Sequence, residues 1–226
     1  MSRAVEFDYY LWCFEGTLLN REDAERLLEE LKTTPDALKT RVRLLGFTNS
    51  MKSIDPTWSD VFVDQLRWWI ENEPRSDFHA LPLFDVEPRS AASESICAAW
   101  PAALARHPGD STVLQHACLG LLRGGQVEVA RALFEQLQQL EPRDPDWLST
   151  LGQFFSRCPE GAEFALIAYE RALALQQPRE AYTVNEAANL ALKLQRFEQA
   201  RELALELLEL ARTGYLGWML GNAQYD

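Results

Sequence analysis

His79, His107 and His116 are the only imidazoles in this 226-residue chain, so proton shuttling near neutral pH would have to draw on them. His107 and His116 flank a helix start at Asp110 or Ser111 and could pass a proton through that carboxylate, although a capped helix with incidental histidines explains the same residues. No HExxH pair is present, and Cys13, Cys97, Cys118 and Cys158 form no CxxC, which argues against a zinc site or a dense disulfide framework. The cysteines read as small buried residues. Carboxylates at Glu25, Glu29 and Glu30, and at Glu202, Glu206 and Glu209, could do acid–base work in a hydrolase. They recur at helical spacing beside Arg26 and Arg201 and read instead as solvated helix faces. No G-x-S-x-G elbow or Walker phosphate loop occurs, and Gly124-Gly125 falls at a helix-to-helix turn that needs a left-handed residue. Trp58, Trp68 and Trp69 could stack on sugars or bases, but at helical spacing with Phe62, Leu66 and Ile70 they read as core. The expectation is a protein without catalytic residues, metal or cofactor.

The charge balance narrows the partners. Subtracting 34 acidic from 22 basic residues leaves −12, and residues 1–106 and 107–226 each contribute −6, so no basic tail hides in the total. A duplex-binding protein needs a cation surplus to displace phosphate counterions, so nucleic acid is not an expected partner. Glu6 and Asp8 interrupt the start of the chain, and no run of 18 uncharged apolar residues exists, so neither secretion nor membrane insertion is expected and the cytoplasm is. Eighteen arginines against four lysines suggest a GC-rich bacterial source.

Periodicity describes the elements that carry these residues. Pro74, Pro108 and Pro142 are spaced by 34, Pro178 follows after 36, and each closes a segment with apolar residues at three- and four-residue spacing. Equivalent slots hold Phe62, Leu66 and Trp69; Ile96, Trp100 and Ala103; Ala130, Phe134 and Leu137; Ala165, Tyr169 and Ala172; and Ala200, Ala204 and Leu207. A fixed period near this length indicates stacked helix pairs. The pattern is weaker upstream. Tyr10 to Phe14 and Ala24 to Leu31 read as a helix pair with Asn20 capping the second helix, and Thr48 to Trp58 as a long connection before the next. Between Arg75 and Pro88 the pattern fails: Pro82 and Pro88 forbid a long helix, and Pro101 should kink or split the helix that follows.

Over residues 107–212 the chain resembles the tetratricopeptide-repeat (TPR) family, whose unit is a helix pair with the pattern W-x2-L-G-x2-Y, then A-x3-F and a closing proline. Leu114, Ala117, Cys118, Leu121, Ala130, Phe134 and Pro142 fill the family slots once. Trp147, Leu151, Gly152, Phe155, Ala165 and Tyr169 fill them again, with one extra residue near Cys158-Pro159-Glu160-Gly161. Val184, Ala187, Ala188, Ala191, Phe197, Ala200 and Leu207 fill them a third time. The resemblance implies an all-α, right-handed superhelical solenoid of antiparallel helix pairs. Its expected parts are degenerate helical repeats over 1–74, an irregular joint and kinked helix over 75–106, repeats over 107–212, and a capping helix over 213–226. Tyr215, Leu216, Trp218, Met219 and Leu220 would cover the last apolar face of that stack, or form a sticky end for self-association.

The family binds peptides in the concave groove lined by the first helices, and its groove slots fall here on Leu119 and Arg123, on Gln153 and Arg157, and on Tyr182, Asn185, Asn189 and Lys193. Arg123, Arg157 and Lys193 share one slot, a line of cations that would favour an acidic peptide or a terminal carboxylate, unless they are a solvated rim paired to glutamates. The expected function is a non-catalytic adaptor or scaffold. Two alternatives stay open: a chaperone that shields an apolar client segment with Leu119, Leu122, Tyr182 and Leu192, and a helical enzyme subunit with a site of Asp77, His79 and Asp85 at the joint.

Overall fold

The computed structural model describes residues 3–80, 86–140, 144–158 and 160–222. Pro82, Asp85, Pro142 and Pro159 lie outside them, as do the side chains of Asp77, Tyr215, Leu216, Trp218, Met219 and Leu220. All regular structure among the described residues is helical. It divides into two compact units, residues 1–140 and 141–226, so the joint at 75–90 lies inside the first unit and not at a boundary.

The first unit contains α1 (Arg3–Thr17), α2 (Arg21–Thr33), α3 (Leu38–Met51), α4 (Thr57–Asn72), a 3-10 turn (Asp77–Ala80), α5 (Ala91–Cys97), α6 (Trp100–Arg106), α7 (Ser111–Arg123) and α8 (Val127–Gln139). Asn20 caps α2 by accepting the Asp23 N–H, and Asp110 caps α7 by accepting that of Val113. The expected pairing of α1 with α2 gives way to packing of α1 on α3. Two glycines explain it: a Cβ on Gly16 would lie 2.0 Å from the Arg43 carbonyl oxygen, and one on Gly46 would lie 2.0 Å from that of Cys13. Only a bare backbone on each helix permits so close a crossing. Trp58 and Trp69 are core, Trp58 edge-on to Phe47 at 4.8 Å and Trp69 beside Phe78 at 4.9 Å, while half-buried Trp68 lies under the Arg41 guanidinium at 4.0 Å.

Two local expectations meet different outcomes. The long connection from Thr48 to Trp58 is mostly absent, because α3 runs on to Met51 with Thr48 and Ser50 hydroxyls bonded to the Leu45 and Gly46 carbonyls. Asp55 then accepts the Thr57 N–H and hydroxyl at the start of α4. Pro101 does split its helix: α5 stops at Cys97 and the proline sits in the first turn of α6, where its missing N–H costs nothing.

The second unit contains α9 (Pro145–Ser156), α10 (Ala162–Leu175), α11 (Ala181–Lys193) and α12 (Phe197–Asn222), each packed on its neighbour in sequence. Asp144 caps α9 through the Asp146 and Trp147 N–H groups, and Pro145 follows as a compatible first residue. Residues 213–222 do not form a separate capping helix; they continue α12, and the Thr213 hydroxyl bonds back to the Glu209 and Leu210 carbonyls without breaking the helix.

A spacing of 35 residues recurs in the backbone. Left-handed residues recur at Gly125 (φ 79°), Glu160 (φ 60°) and Gln195 (φ 60°), 35 residues apart. The turns after α7 and α11 close identically, with Gly125 and Gln126 N–H groups bonded to Leu122 and Leu121 carbonyls, and Gln195 and Arg196 N–H groups to those of Leu192 and Ala191. This is the Schellman closure, which satisfies the last carbonyls of a helix.

Candidate binding face on α9 and α11

Gln153 and Tyr182 connect α9 to α11. The Gln153 amide donates to the Tyr182 hydroxyl at 3.2 Å, and one turn earlier the Ser149 and Thr183 hydroxyls meet at 3.3 Å. These two bridges link the first and third helices of the unit. Tyr182 is half exposed, and Asn185, Asn189 and Lys193 continue its face of α11 at three- and four-residue spacing. Asn189 and Lys193 are exposed; half-buried Asn185 donates to the Glu186 carboxylate at 3.2 Å. Arg157, at the end of α9, is exposed and its guanidinium lies 5.6 Å from the Phe154 ring centre. Six of the eight expected groove residues therefore belong to this unit, and their amides, hydroxyl and cations offer the donors and acceptors that a peptide backbone or carboxylate requires.

Below them lies Tyr169 of α10, a residue that periodicity marks only as core. It is fully buried, and a Cβ on Gly152 would come within 2.9 Å of its ring. Burial first, then the neighbouring Tyr182 hydroxyl and Glu186 carboxylate, holds the Tyr169 phenol well above its ordinary range, with Arg157 pulling the other way. The Tyr169 hydroxyl therefore lies within electrostatic reach of three groups on the face, which no spacing rule signals. Glu186 was likewise not expected, and it makes the face mixed in sign.

Leu119 and Arg123 are corrections. They are 1% and 8% exposed and lie in the core of the first unit. The 3-10 turn and α5 pack on α7, and the Arg123 guanidinium donates to the His79 carbonyl at 2.7 Å. The joint thus covers the side of α7 where an open groove would present these residues, and Leu122 is buried with them. Of the apolar residues expected to shield a client, only Tyr182 and Leu192 are exposed.

His79 and His116 have structural partners. His79 donates Nε2–H to the Glu73 carbonyl at 3.0 Å, and His116 donates Nδ1–H to that of Pro74 at 2.9 Å, with the two buried rings 5.2 Å apart. The first ties the joint back to the end of α4, and the second ties the segment after α4 to α7. A small cavity of about 10 Å³ beside them, lined by Cys97, Trp100 and Gly120 among others, has room for about one water. Asp85 lies outside the described residues, so the expected trio with Asp77 and His79 has one described side chain. The Asp110 carboxylate is engaged by the Val113 N–H and by Arg75 at 2.6 Å. Burial alone would raise it, but the Val113 N–H and the Arg75 guanidinium together hold it below the usual carboxylate value. Among the described residues, no cluster of three or more His, Cys, Asp or Glu side chains could hold a metal, and no helix is long and apolar enough to cross a membrane.

No protein-family model matches the chain, and no curated protein does.

Proposed function

We propose that the chain is a TPR-like binding module of a superhelical solenoid, a non-catalytic adaptor or scaffold that holds an extended segment of another protein on the α9/α11 face. The observation that carries this reading is the Gln153–Tyr182 bridge, flanked by exposed Arg157, Asn189 and Lys193. The recurrence of left-handed turn residues at Gly125, Glu160 and Gln195 supports the repeat reading. Asn185 and Asn189, one turn apart, would bond the peptide backbone, and Arg157 and Lys193 would select an acidic segment. Arg123 has no part in this line, since it is buried.

A chaperone for an apolar client is the second reading, favoured by exposed Tyr182 and Leu192. Fluorescence anisotropy of two labelled peptides, one acid-rich and one leucine-rich, at about 50 and about 500 mM NaCl separates the two. The adaptor reading expects preferential binding of the acid-rich peptide that weakens with salt. Salt-insensitive binding of the leucine-rich peptide alone would favour the chaperone.

A further inference from the structure

A buried hydroxyl lies beneath the α9/α11 face, that of Tyr169. The residue is fully buried, and among the described residues no partner meets its hydroxyl at hydrogen-bonding geometry, although the Tyr182 hydroxyl stands beside it. A buried polar group left unsatisfied is costly, and native folds keep few of them. Phenylalanine would fill the same slot without that cost. Gly152 even gives up its side chain to admit the ring.

The surroundings of this hydroxyl define what it suits. The Tyr182 oxygen accepts from the Gln153 amide at 3.2 Å, which leaves the Tyr182 proton available to another acceptor. Two phenol donors therefore stand side by side, and the Arg157 guanidinium is within electrostatic reach of the buried one. Burial and the Glu186 carboxylate hold the Tyr169 phenol above its ordinary range, so it keeps its proton and stays a donor at neutral pH. Two donors and a cation complement an anionic acceptor. Glu186 opposes any build-up of negative charge, so the place suits one carboxylate and not a run of them. Access runs past Tyr182, whose side chain is half exposed and whose bond to Gln153 is neutral and exposed, the kind that a charged acceptor outcompetes.

We propose that the Tyr169 and Tyr182 hydroxyls form an anion subsite in the floor of the α9/α11 face, where one aspartate or glutamate side chain of the bound segment draws Tyr182 off Gln153 and accepts from both phenols beside Arg157. This rests on the adaptor reading and adds to it the point at which an acid is told from its amide. Tyr169 is then a specificity-determining residue, and Gly152 the glycine that lets its ring reach the face.

The test uses the full chain and a fluorescein-labelled acid-rich peptide, with a second peptide in which every acid is replaced by glutamine. Tyr169→Phe removes a single oxygen. It should weaken the acid-rich peptide about tenfold without lowering the melting temperature, and the glutamine peptide should bind weakly or not at all, with no response to the variant. Tyr182→Phe should weaken the acid-rich peptide as well. Affinity unchanged by Tyr169→Phe would overturn the proposal; if Arg157→Glu with Lys193→Glu still weakened binding, the adaptor reading would stand without it. Equal losses for the two peptides would mean a general loosening of the face, and a lowered melting temperature would mean that the hydroxyl already has its partner within the fold. Either result overturns the subsite. Failure of the acid-rich peptide to bind the unaltered chain would remove both readings together.

Discussion

Gly152 of α9 and Tyr169 of α10 occupy adjoining space with no room for a methyl group between them: a Cβ on the glycine would lie 2.9 Å from the ring. Glycine in a helix interior normally costs about 1 kcal/mol relative to alanine, so Gly152→Ala should stabilise an unconstrained helix. Here the opposite is expected, a loss of about 1–3 kcal/mol from overpacking against a fully buried ring. Thermal melting of the variant checks it, and a raised melting temperature would contradict the close approach.

The same conformation is held at a cost in one turn and freely in another. Gln195 adopts φ 60° where Gly125 adopts φ 79° in the equivalent closure. Replacing Gln195 with glycine should stabilise the protein by up to about 1 kcal/mol, whereas Gly125→Ala should destabilise it by about 1 kcal/mol or more. Urea titration of both variants reads the two signs directly.

Arg123 and Arg157 separate sharply despite sharing a repeat slot. Arg123→Glu would bury a carboxylate against the His79 carbonyl, costing about 3 kcal/mol or more and disrupting the first unit. Arg157→Glu alters an exposed side chain and should change stability by no more than about 0.5 kcal/mol. Circular dichroism melts would show the contrast, and equal tolerance at both positions would place Arg123 at the surface.

Stability should fall toward both pH extremes for identifiable reasons. Burial pushes the Cys13 and Cys97 thiols from 9.0 up to about 11. A raised folded pKa gives stability that is complete below the unfolded value, so this contribution disappears as pH rises from about 9 through about 11. The Asp110 carboxyl is lowered, so its contribution is present above the ordinary value and disappears as pH falls below about 4. Asp110→Ala should cost about 1–2 kcal/mol at neutral pH and flatten the acid limb of a stability–pH curve.

Much of the helical skeleton follows from local chemistry: Asn20, Asp110 and Asp144 start helices, Pro101 divides one, and Gly125 turns the chain. What escaped local reading depends on contacts between distant residues. Gly16 and Gly46 look like ordinary helix glycines until α1 and α3 cross at them. The aperiodic stretch after Pro74 carries no sign that its 3-10 turn will fold over α7 and bury Leu119 and Arg123. A slot rule assumes an open face, and on α9 and α11 the residues it names are exposed or half-buried, with two polar bridges between the helices. It fails on α7, where extra chain fills that face.

The role of the α9/α11 face is tested most directly by two charge reversals of equal size. Arg157→Glu with Lys193→Glu changes the face, and Arg201→Glu with Arg212→Glu changes the net charge identically on exposed positions of α12. Affinity for an acid-rich peptide, measured by anisotropy, should drop about tenfold or more for the first pair and less than about twofold for the second. An equal drop for both pairs would mean that overall charge, and not this face, governs binding.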